Sequence, residues 1–141
     1  MEKQYNPYKK SGVLKESEEG KVFAQWLKVQ RDMGNVIEYS KLQQDTWAKN
    51  FKIVGKARAE GVRPGVPDYL VVLKCGVFFI ELKAKDGGQI SNDQARWIFV
   101  LNERRGVDAL VCKGADEAIA YIQKYIDWQQ TAEYLEETKN K

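Results

Sequence analysis

The sequence predicts a small α/β sandwich in which helices flank a mixed central sheet, in the order helix, strand, strand, strand, helix, strand, helix. Three observations support this fold class. Apolar residues recur at helical spacing near both ends of the chain, short apolar runs bounded by Gly and Pro fill its middle, and a further strand pattern separates the last two helical patterns. A chain of 141 residues is long enough for one domain with a single core.

The N-terminal half contains one predicted helix and one predicted strand. The helix runs from about Glu16 to Met33, because apolar residues follow helical spacing there and Gly34-Asn35 ends it. These apolar residues are Val22, Phe23, Trp26, Leu27 and Val29. Residues 36–42, VIEYSKL, predict a short strand, and the polar, basic stretch after it ends in the Gly- and Pro-rich loop of residues 60–67.

The C-terminal half ends with a helix, a strand and a helix. Residues 91–106 predict a helix that Ser91 caps and Gly106 ends. Residues 107–112 predict a strand. Residues 114–128 predict a helix with one apolar face, formed by Ala118, Ile119, Ile122 and Ile126.

Three segments are expected along the chain: a flexible N-terminal arm at residues 1–14, the folded domain at 15–128 and a helical extension at 129–141. The longest apolar runs are too short to cross a bilayer, and the N-terminus has no apolar signal core. The two cysteines, Cys75 and Cys112, have no CxxC spacing and suit structural roles in a reduced compartment. We therefore expect a cytoplasmic protein.

The sequence contains no histidine. Catalysis by Ser-His-Asp or Cys-His groups, zinc sites with His ligands, and nuclease chemistry that uses a histidine base are therefore excluded. Any catalysis must rely on carboxylates, Lys, Arg, Tyr, Ser or a hard metal ion. The net charge of +3 permits a polyanionic partner without requiring one.

Basic residues concentrate between residues 41 and 63, where only Asp45 and Glu60 are acidic. The basic residues of this stretch are Lys41, Lys49, Lys52, Lys56, Arg58 and Arg63. The segment from residue 127 onward is instead mostly acidic. A charge-rich stretch is often only a solvated face, so a nucleic-acid surface and a solvated face are both open at this point.

Residues 68–73 and 77–84 predict two strands that a KCG turn joins into a hairpin, yet both apolar runs carry charged residues. Because side chains alternate faces along a strand, Glu81 and Lys83 share one face. The hairpin pairs the start of its first strand with the end of its second, so Asp68 is expected opposite or diagonal to Glu81. The three charges therefore converge at one end of the hairpin.

Two carboxylates a few ångströms apart repel each other, so one takes up a proton unless a cation lies between them. A hard divalent ion such as magnesium prefers oxygen ligands, so Asp68 and Glu81 are candidate metal ligands, with the backbone carbonyl of Leu82 as a third. The Lys83 side chain could stabilise a phosphoryl group as an ammonium, or orient a water and, as a neutral amine, deprotonate it. The alternative is an Asp-Lys-Glu ion network that caps a sheet edge.

This pattern resembles the PD-(D/E)XK nuclease signature, with Pro67-Asp68 and Glu81-Leu82-Lys83 at its positions. Residues 16–126 are similar to the VRR-NUC branch of that superfamily, most of all to the stand-alone versions carried by phages and mobile elements. The resemblance implies a restriction-endonuclease-like core and hydrolysis of DNA phosphodiesters that depends on magnesium or manganese. It also implies selectivity for branched DNA such as a Holliday junction, a homodimer, and action in the bacterial host cytoplasm if a phage encodes the protein.

The resemblance also implies roles for individual residues. Asp68 and Glu81 match the metal ligands, and Lys83 matches the catalytic lysine. Family members carry an acidic residue in the first helix, where Glu19 is the matching candidate for a catalytic residue and metal ligand, and Glu18 is the next. A polar helix terminus is the alternative role for both.

Gln94 matches a glutamine of the family's S-x-x-Q segment and is a further candidate catalytic residue. Its spacing from Ser91 also forms a capping box, in which Gln94 bonds back to the Ser91 amide, and the two roles are compatible. Two departures from the family put fine substrate preference in question. Gly20 replaces a glutamine, and Gln44-Asp45-Thr46 stands where relatives often have Asn-Glu-Thr.

The candidate DNA contacts are basic residues that precede the Asp68 loop: Arg63, Lys56, Lys49 and Lys52. The leading hypothesis is a metal-dependent, structure-selective endonuclease in which an activated water attacks the phosphate in line. Three alternatives are a nonspecific nicking nuclease, a DNA-binding or assembly module without turnover, and a restriction-type enzyme that reads a fixed sequence. The complete set of three active-site charges argues against the module, and the short chain leaves little room for a separate recognition domain.

Overall fold

The computed structural model describes residues 14–42 and 51–139, with only the backbone described at 51–53. Its elements, in chain order, are α1 Glu16–Asp32, β1 Glu38–Lys41, α2 Phe51–Ala59, β2 Tyr69–Leu73, β3 Gly76–Lys83, α3 Asn92–Asn102, β4 Val107–Lys113 and α4 Ala115–Lys139. The predicted α/β class is confirmed. Most of the predicted N-terminal arm lies outside the described residues. None of the helices within them is long and apolar enough to cross a membrane.

The strands of the described chain form one mixed sheet in the order β1-β2-β3-β4. The pairs β1–β2 and β2–β3 are antiparallel, whereas β3 and β4 are parallel. β2 and β3 form the predicted hairpin, in which Leu73 pairs with Gly76. Parallel strands need a longer crossover, and α3 supplies it between β3 and β4. The antiparallel hairpin brings the start of β2 beside the end of β3.

One face of the sheet carries the hydrophobic core. Phe78, Ile80 and Leu82 of β3 are buried on this face, because alternate side chains of a strand share a side. Helices α1 and α4 pack on it with their own buried residues, which are Phe23, Leu27, Ala118, Ile122 and Ile126. Glu81 and Lys83 lie on the opposite face, which α3 covers without burying any residue of its own.

Helix α2 is the one element of the described chain that the sequence does not predict. It adds a helix between the first two strands of the predicted order and occupies part of the basic stretch. Its residues, FKIVGKARA, include Gly55, which weakens a helix by about 1 kcal/mol relative to Ala. The helix is also too short to establish a clear apolar period.

The ends of α3 and α4 also differ from the predictions. α3 ends at Asn102, and the chain turns before β4 at Gly106, which has a φ of 71°. α4 continues without interruption through residues 129–139, so the predicted extension prolongs the same helix. In α1, Val22 and Val29 are 40% and 53% exposed, so the apolar stripe that packs on the sheet is narrower than predicted.

Candidate active site

The hairpin register places Asp68 directly across from Glu81. Tyr69 pairs with Ile80, so the next position toward the open end of the hairpin brings the two carboxylate residues opposite each other. The Oδ2 atom of Asp68 accepts a hydrogen bond from the Leu82 backbone N–H at 2.8 Å, which holds this side chain against the end of β3. Both carboxylates thus lie at one end of the hairpin.

Glu81 is the most tightly enclosed group of this site, with 2% of its surface exposed. Its Oε1 atom accepts a hydrogen bond from Gln94 Nε2 at 2.7 Å and lies 3.4 Å from Lys83 Nζ. Its Oε2 atom is buried and has no hydrogen-bond partner among the described residues. A buried carboxylate oxygen without a donor is unfavourable, so this position favours a proton or a cation.

The environment disfavours the ionised form of both carboxylates. Burial raises the pKa of Glu81 to about 7, and the negative charge of Asp68 adds to this rise while Lys83 opposes it. Burial also raises the pKa of Asp68, against the opposing effect of its hydrogen bond from the Leu82 amide. The charge of Glu16 raises the pKa of both groups. Added positive charge would therefore stabilise the ionised pair.

Lys83 is the cationic group nearest to Glu81 in the described contacts. It follows Glu81 by two positions on β3, so both side chains stand on the same face, and the lysine side chain is only 16% exposed. The ammonium group of this mostly buried side chain can donate hydrogen bonds to a phosphate oxygen or to a water. The catalytic role of Lys83 stays a prediction.

Gln94 connects α3 to the site through both ends of its side-chain amide. Its Oε1 atom accepts from the Ser91 backbone N–H at 2.9 Å, and its backbone N–H donates to Ser91 Oγ at 3.2 Å, so the capping box forms. The same amide donates from Nε2 to Glu81. The capping role and contact with the site therefore occur together, and Gln94 holds Glu81 in one orientation.

The structure does not bring Glu19 into this cluster. Glu19 is 2% exposed, and its Oε2 atom accepts a hydrogen bond at 2.6 Å from the backbone N–H of Ala115, the first residue of α4. A carboxylate is favourable at a helix N-terminus, so Glu19 caps α4. The other candidate, Glu18, accepts from the Lys15 backbone N–H at 3.1 Å and caps α1 itself. Within the described residues, neither shares a hydrogen bond with the two site carboxylates.

The acidic residue of α1 that lies beside Asp68 is Glu16, which the sequence did not predict. A pocket of ≈ 480 Å³ opens beside Asp68, and its lining includes Glu16 and Lys41. Glu16 is exposed, whereas Glu19 lies four residues before the buried Phe23 and so faces the core. That spacing is the signal that could have separated the two residues, because a ligand at the sheet edge must lie off the buried stripe.

The candidate DNA contacts are only partly described. Lys56 on α2 and Arg63 in the following loop are both exposed. Lys49 and the departure at Gln44-Asp45-Thr46 lie outside the described residues, as does the side chain of Lys52. Their placement beside the site stays a prediction.

The donor set of this site fits a hard divalent cation. No group of three His, Cys, Asp or Glu side chains within residues 14–42 and 51–139 is arranged to hold a metal ion. Magnesium, however, commonly binds through one or two carboxylates and keeps several waters. Asp68 and the unpartnered oxygen of Glu81 supply such a pair. The Leu82 carbonyl as a further ligand stays a prediction.

The comparisons with known proteins agree with this fold. A family model for the VRR-NUC domain matches residues 14–116. The chain belongs to the VRR-NUC family. A solved structure described as a VRR_NUC domain protein matches with a TM-score of 0.65 and 26% sequence identity, over 81% of this chain and 89% of that chain. The comparison with curated proteins found no match. The predicted family is confirmed, and a nuclease-type function in DNA processing follows from it.

The structure explains one departure of this VRR-NUC domain from the family pattern. A Cβ atom on Gly20 would lie 2.7 Å from the hydroxyl oxygen of Tyr69. Tyr69 is buried, and its ring packs edge-to-face on that of Phe23 with 5.2 Å between the ring centroids. The Tyr69 ring therefore cannot move aside easily. Gly20 therefore makes room for the Tyr69 hydroxyl, which takes the space that a longer side chain on α1 would occupy.

The raised pKa of Glu81 predicts that the metal-free protein loses stability as the pH rises. The pKa in the folded state is about 7 and the ordinary value is 4.5, so the folded state binds more protons between these values. This stabilisation is complete below pH 4.5 and is lost as the pH rises through 7. In EDTA, the wild-type free energy of unfolding should fall by about 2–3 kcal/mol more than that of Glu81→Gln between pH 5 and pH 8.

Urea unfolding at a series of pH values measures this difference. The Glu81→Gln variant is the control for the wild type, because it removes the Glu81 carboxyl and keeps every other titrating side chain. If the free energy of unfolding changed with pH by the same amount in both proteins, the pKa of Glu81 would not be raised in the folded state.

Glu16 and Glu19 should respond differently to the same isosteric change. Glu16→Gln should slow DNA cleavage by roughly tenfold or more with little change in stability, because Glu16 is exposed beside the site carboxylates. Glu19→Gln should instead lower the free energy of unfolding by about 1 kcal/mol, since it weakens the cap of α4. Urea unfolding and a plasmid-nicking assay on both variants measure the two effects. If Glu19→Gln slowed cleavage and Glu16→Gln only lowered the stability, Glu19 would be the metal ligand of α1.

Proposed function

We propose that this protein is an endonuclease that uses Mg²⁺ or Mn²⁺ to hydrolyse DNA phosphodiester bonds, with selectivity for branched DNA and as a homodimer. The observation that carries the proposal is the unpartnered, buried Oε2 atom of Glu81 beside Asp68. Glu19 Oε1 is also buried without a hydrogen-bond partner, so the weight of the Glu81 oxygen comes from the second carboxylate, Asp68, that lies across the hairpin from it. Here the site leaves one oxygen without a donor where a cation fits.

Asp68 and Glu81 would hold the cation through their carboxylate oxygens, and Glu16 would add negative charge at the wall of the pocket. When bound, such a cation polarises a phosphoryl oxygen and lowers the pKa of a water. Gln94 fixes Glu81 through Oε1, so that Oε2 remains available. The two carboxylates would thus bind the cation, and the Gln94 amide of α3 would hold Glu81 in the right orientation.

Lys83 supplies the remaining chemistry of the site. Its ammonium lies 3.4 Å from Glu81 Oε1 and can extend toward a phosphate placed at the carboxylates. There it stabilises the charge that builds up on the phosphate oxygens, or donates a hydrogen bond that orients the attacking water. The partial enclosure of Lys83 strengthens these interactions, because less water screens the charge.

Branched DNA and a homodimer are the finer parts of the proposal. The likeness of the chain to stand-alone VRR-NUC proteins supports both. A two-fold dimer would present two equivalent sites, which suits a four-armed junction with symmetric strands. Exposed Lys56 and Arg63 would then contribute phosphate contacts that do not depend on sequence.

Removing either site carboxylate should abolish cleavage. Asp68→Asn and Glu81→Gln each remove a charged ligand and keep the side-chain shape, so we expect folded proteins without activity. The assay is cleavage of Holliday junctions, splayed arms and plain duplex in magnesium, manganese or EDTA. The wild type should cut junctions by paired, symmetric nicks. Glu136→Gln, an exposed change near the end of α4, should cut like the wild type.

Near wild-type nicking by Asp68→Asn or Glu81→Gln in magnesium would contradict the site. Cleavage by a monomer through single, unpaired nicks would contradict only the junction-resolving dimer. Light scattering distinguishes the two states, since a dimer has about twice the 16.2 kDa mass of the chain.

Lys83→Ala should reduce turnover by roughly two to four orders of magnitude, the range for a lost general catalyst or charge stabiliser. Metal affinity should fall little or rise, because a positive charge beside the carboxylates disappears. Single-turnover cleavage and calorimetric titration with Mn²⁺ measure the two quantities. Lys85→Ala is the matched control, since Lys85 is exposed and pairs with Asp116 at 3.1 Å. A Lys83 variant that loses metal binding but recovers full turnover at high metal would be inconsistent with this role.

Lys56 and Arg63 should contribute to the salt dependence of DNA binding. Each phosphate contact releases counterions, so the logarithm of the affinity falls linearly with the logarithm of salt concentration. Replacing both residues by Ala should flatten that slope by up to about two. Fluorescence anisotropy with a labelled duplex measures the slope, and Lys28→Ala, which removes a distant exposed cation of α1, should leave it unchanged. An unaltered slope in the double variant would place the DNA path elsewhere.

A further inference from the structure

A second pocket, of ≈ 270 Å³, lies between the loop before β2 and the outer side of α3. Its lining is formed by Arg63, Pro64, Asp93, Arg96, Trp97 and Val100, and we call it the α3 pocket. We propose that the α3 pocket binds one unpaired nucleotide of the DNA substrate. The proposal rests on the nuclease function argued above and adds the feature of the substrate that the protein recognises.

The α3 pocket lies next to the active site along the helix. Trp97 follows Gln94 by three residues, which is less than one helical turn and about 4.5 Å of rise. Gln94 itself donates to Glu81. A DNA strand with a phosphate at Glu81 would therefore reach the α3 pocket with a neighbouring nucleotide.

Direct contacts join the two walls of the pocket. Trp97 Nε1 donates a hydrogen bond to the Pro64 carbonyl oxygen at 2.9 Å, which uses the only donor of the indole ring. Gly65, with a φ of 88°, lies so close to α3 that a Cβ atom there would meet the backbone carbon of Asp93 at 2.5 Å. The loop and the helix are thus in direct backbone contact. Because its one donor is already bonded, Trp97 can contact a ligand only through the apolar surface of its ring.

The chemistry of the lining matches a nucleotide better than simpler ligands. Arg63 and Arg96 can bind a phosphate or stack on a base. Asp93 would repel a phosphate, but it can accept a hydrogen bond from an N–H group at the edge of a base. Trp97 provides a stacking surface, and base–aromatic stacking tolerates every base. A free phosphate would leave the indole unused, and an apolar ligand would leave the charged groups without partners.

The ring face of Trp97 selects for nucleotides that are not paired. In a duplex, both faces of a base are covered by its neighbours, so a base must leave the stack before it can rest on an indole ring. Splayed arms, flaps and the centres of junctions supply such bases without the cost of unstacking. The α3 pocket would therefore provide selectivity for branched DNA beside the cleavage site.

The test is DNA binding in EDTA, so that no cleavage occurs and the result does not depend on nuclease activity. Fluorescence anisotropy compares a labelled splayed-arm DNA with a plain duplex of equal length. Trp97→Ala should weaken binding of the splayed arm roughly 5- to 100-fold and change duplex binding by less than about twofold. Trp97→Phe keeps a stacking face and should restore most of the loss.

Two further variants make the test decisive. Trp128→Ala removes an aromatic side chain that is 61% exposed at a pocket by the opposite ends of β3 and β4, so it should change neither affinity. Arg96→Ala removes an exposed charge without disturbing the bond to Pro64. It should weaken splayed-arm binding selectively and reduce its salt slope by about one. If Trp97→Ala melts early, Arg96→Ala decides the question.

An equal loss on both DNAs, or no loss on the splayed arm, would overturn the proposal for the α3 pocket. The proposed nuclease would survive that result if Asp68→Asn still abolished cleavage. Selective binding by the wild type with no cleavage in any metal would overturn the nuclease and leave the α3 pocket intact.

Discussion

The burial of one carboxylate directly opposite another is the constraint on which the rest of this structure depends. The hairpin register sets Asp68 against Glu81, and the enclosure of Glu81 leaves one of its oxygens without a donor. No arrangement of apolar neighbours can stabilise such a pair. The surrounding groups therefore have to be polar, fixed in place and supplied by elements that contribute little to the core.

One face of the sheet carries the hydrophobic core, and the other face carries Glu81 and Lys83 of the candidate active site. Helices α1 and α4 build the core on one face, while α3 on the other buries none of its residues. Polar contacts hold α3 instead. Gln94 bonds to Glu81 at its start, and Asn102 at its end exchanges two hydrogen bonds with the backbone of Ala109, at 2.7 and 2.9 Å. Polar contacts at both ends therefore hold α3 on the sheet without burying its outer side.

The sequence alone was sufficient for the features that depend on local periodicity. Alternation along β3 and the length of the turn place Glu81, Lys83 and Asp68 at one end of the hairpin, as the register shows. Features that depend on contacts between distant segments were not predictable in this way. Glu19 accepts a hydrogen bond from the backbone N–H of Ala115, which is far along the chain, whereas Glu16 lines the pocket beside Asp68.

The α3 pocket and helix α2 were not predictable from the sequence for related reasons. Arg63 and Trp97 share the α3 pocket only because the loop reaches α3 through a backbone contact that no local pattern encodes. Helix α2 is short, contains a glycine and lacks a clear apolar period. Its local helix propensity is therefore too weak to predict a helix from the sequence.

The release of protons when a divalent cation binds tests most directly whether Asp68 and Glu81 form the cation site. With a pKa of about 7, Glu81 is mostly protonated at pH 6 and mostly ionised at pH 8.5. Calorimetric titration with Mn²⁺ in buffers of different ionisation enthalpy counts the protons released. If the cation binds at the carboxylate pair, close to one proton should leave at pH 6 and almost none at pH 8.5, and Glu81→Gln should abolish the difference. Equal release at both pH values, or unchanged binding by Glu81→Gln, would show that the cation binds elsewhere than at this carboxylate pair.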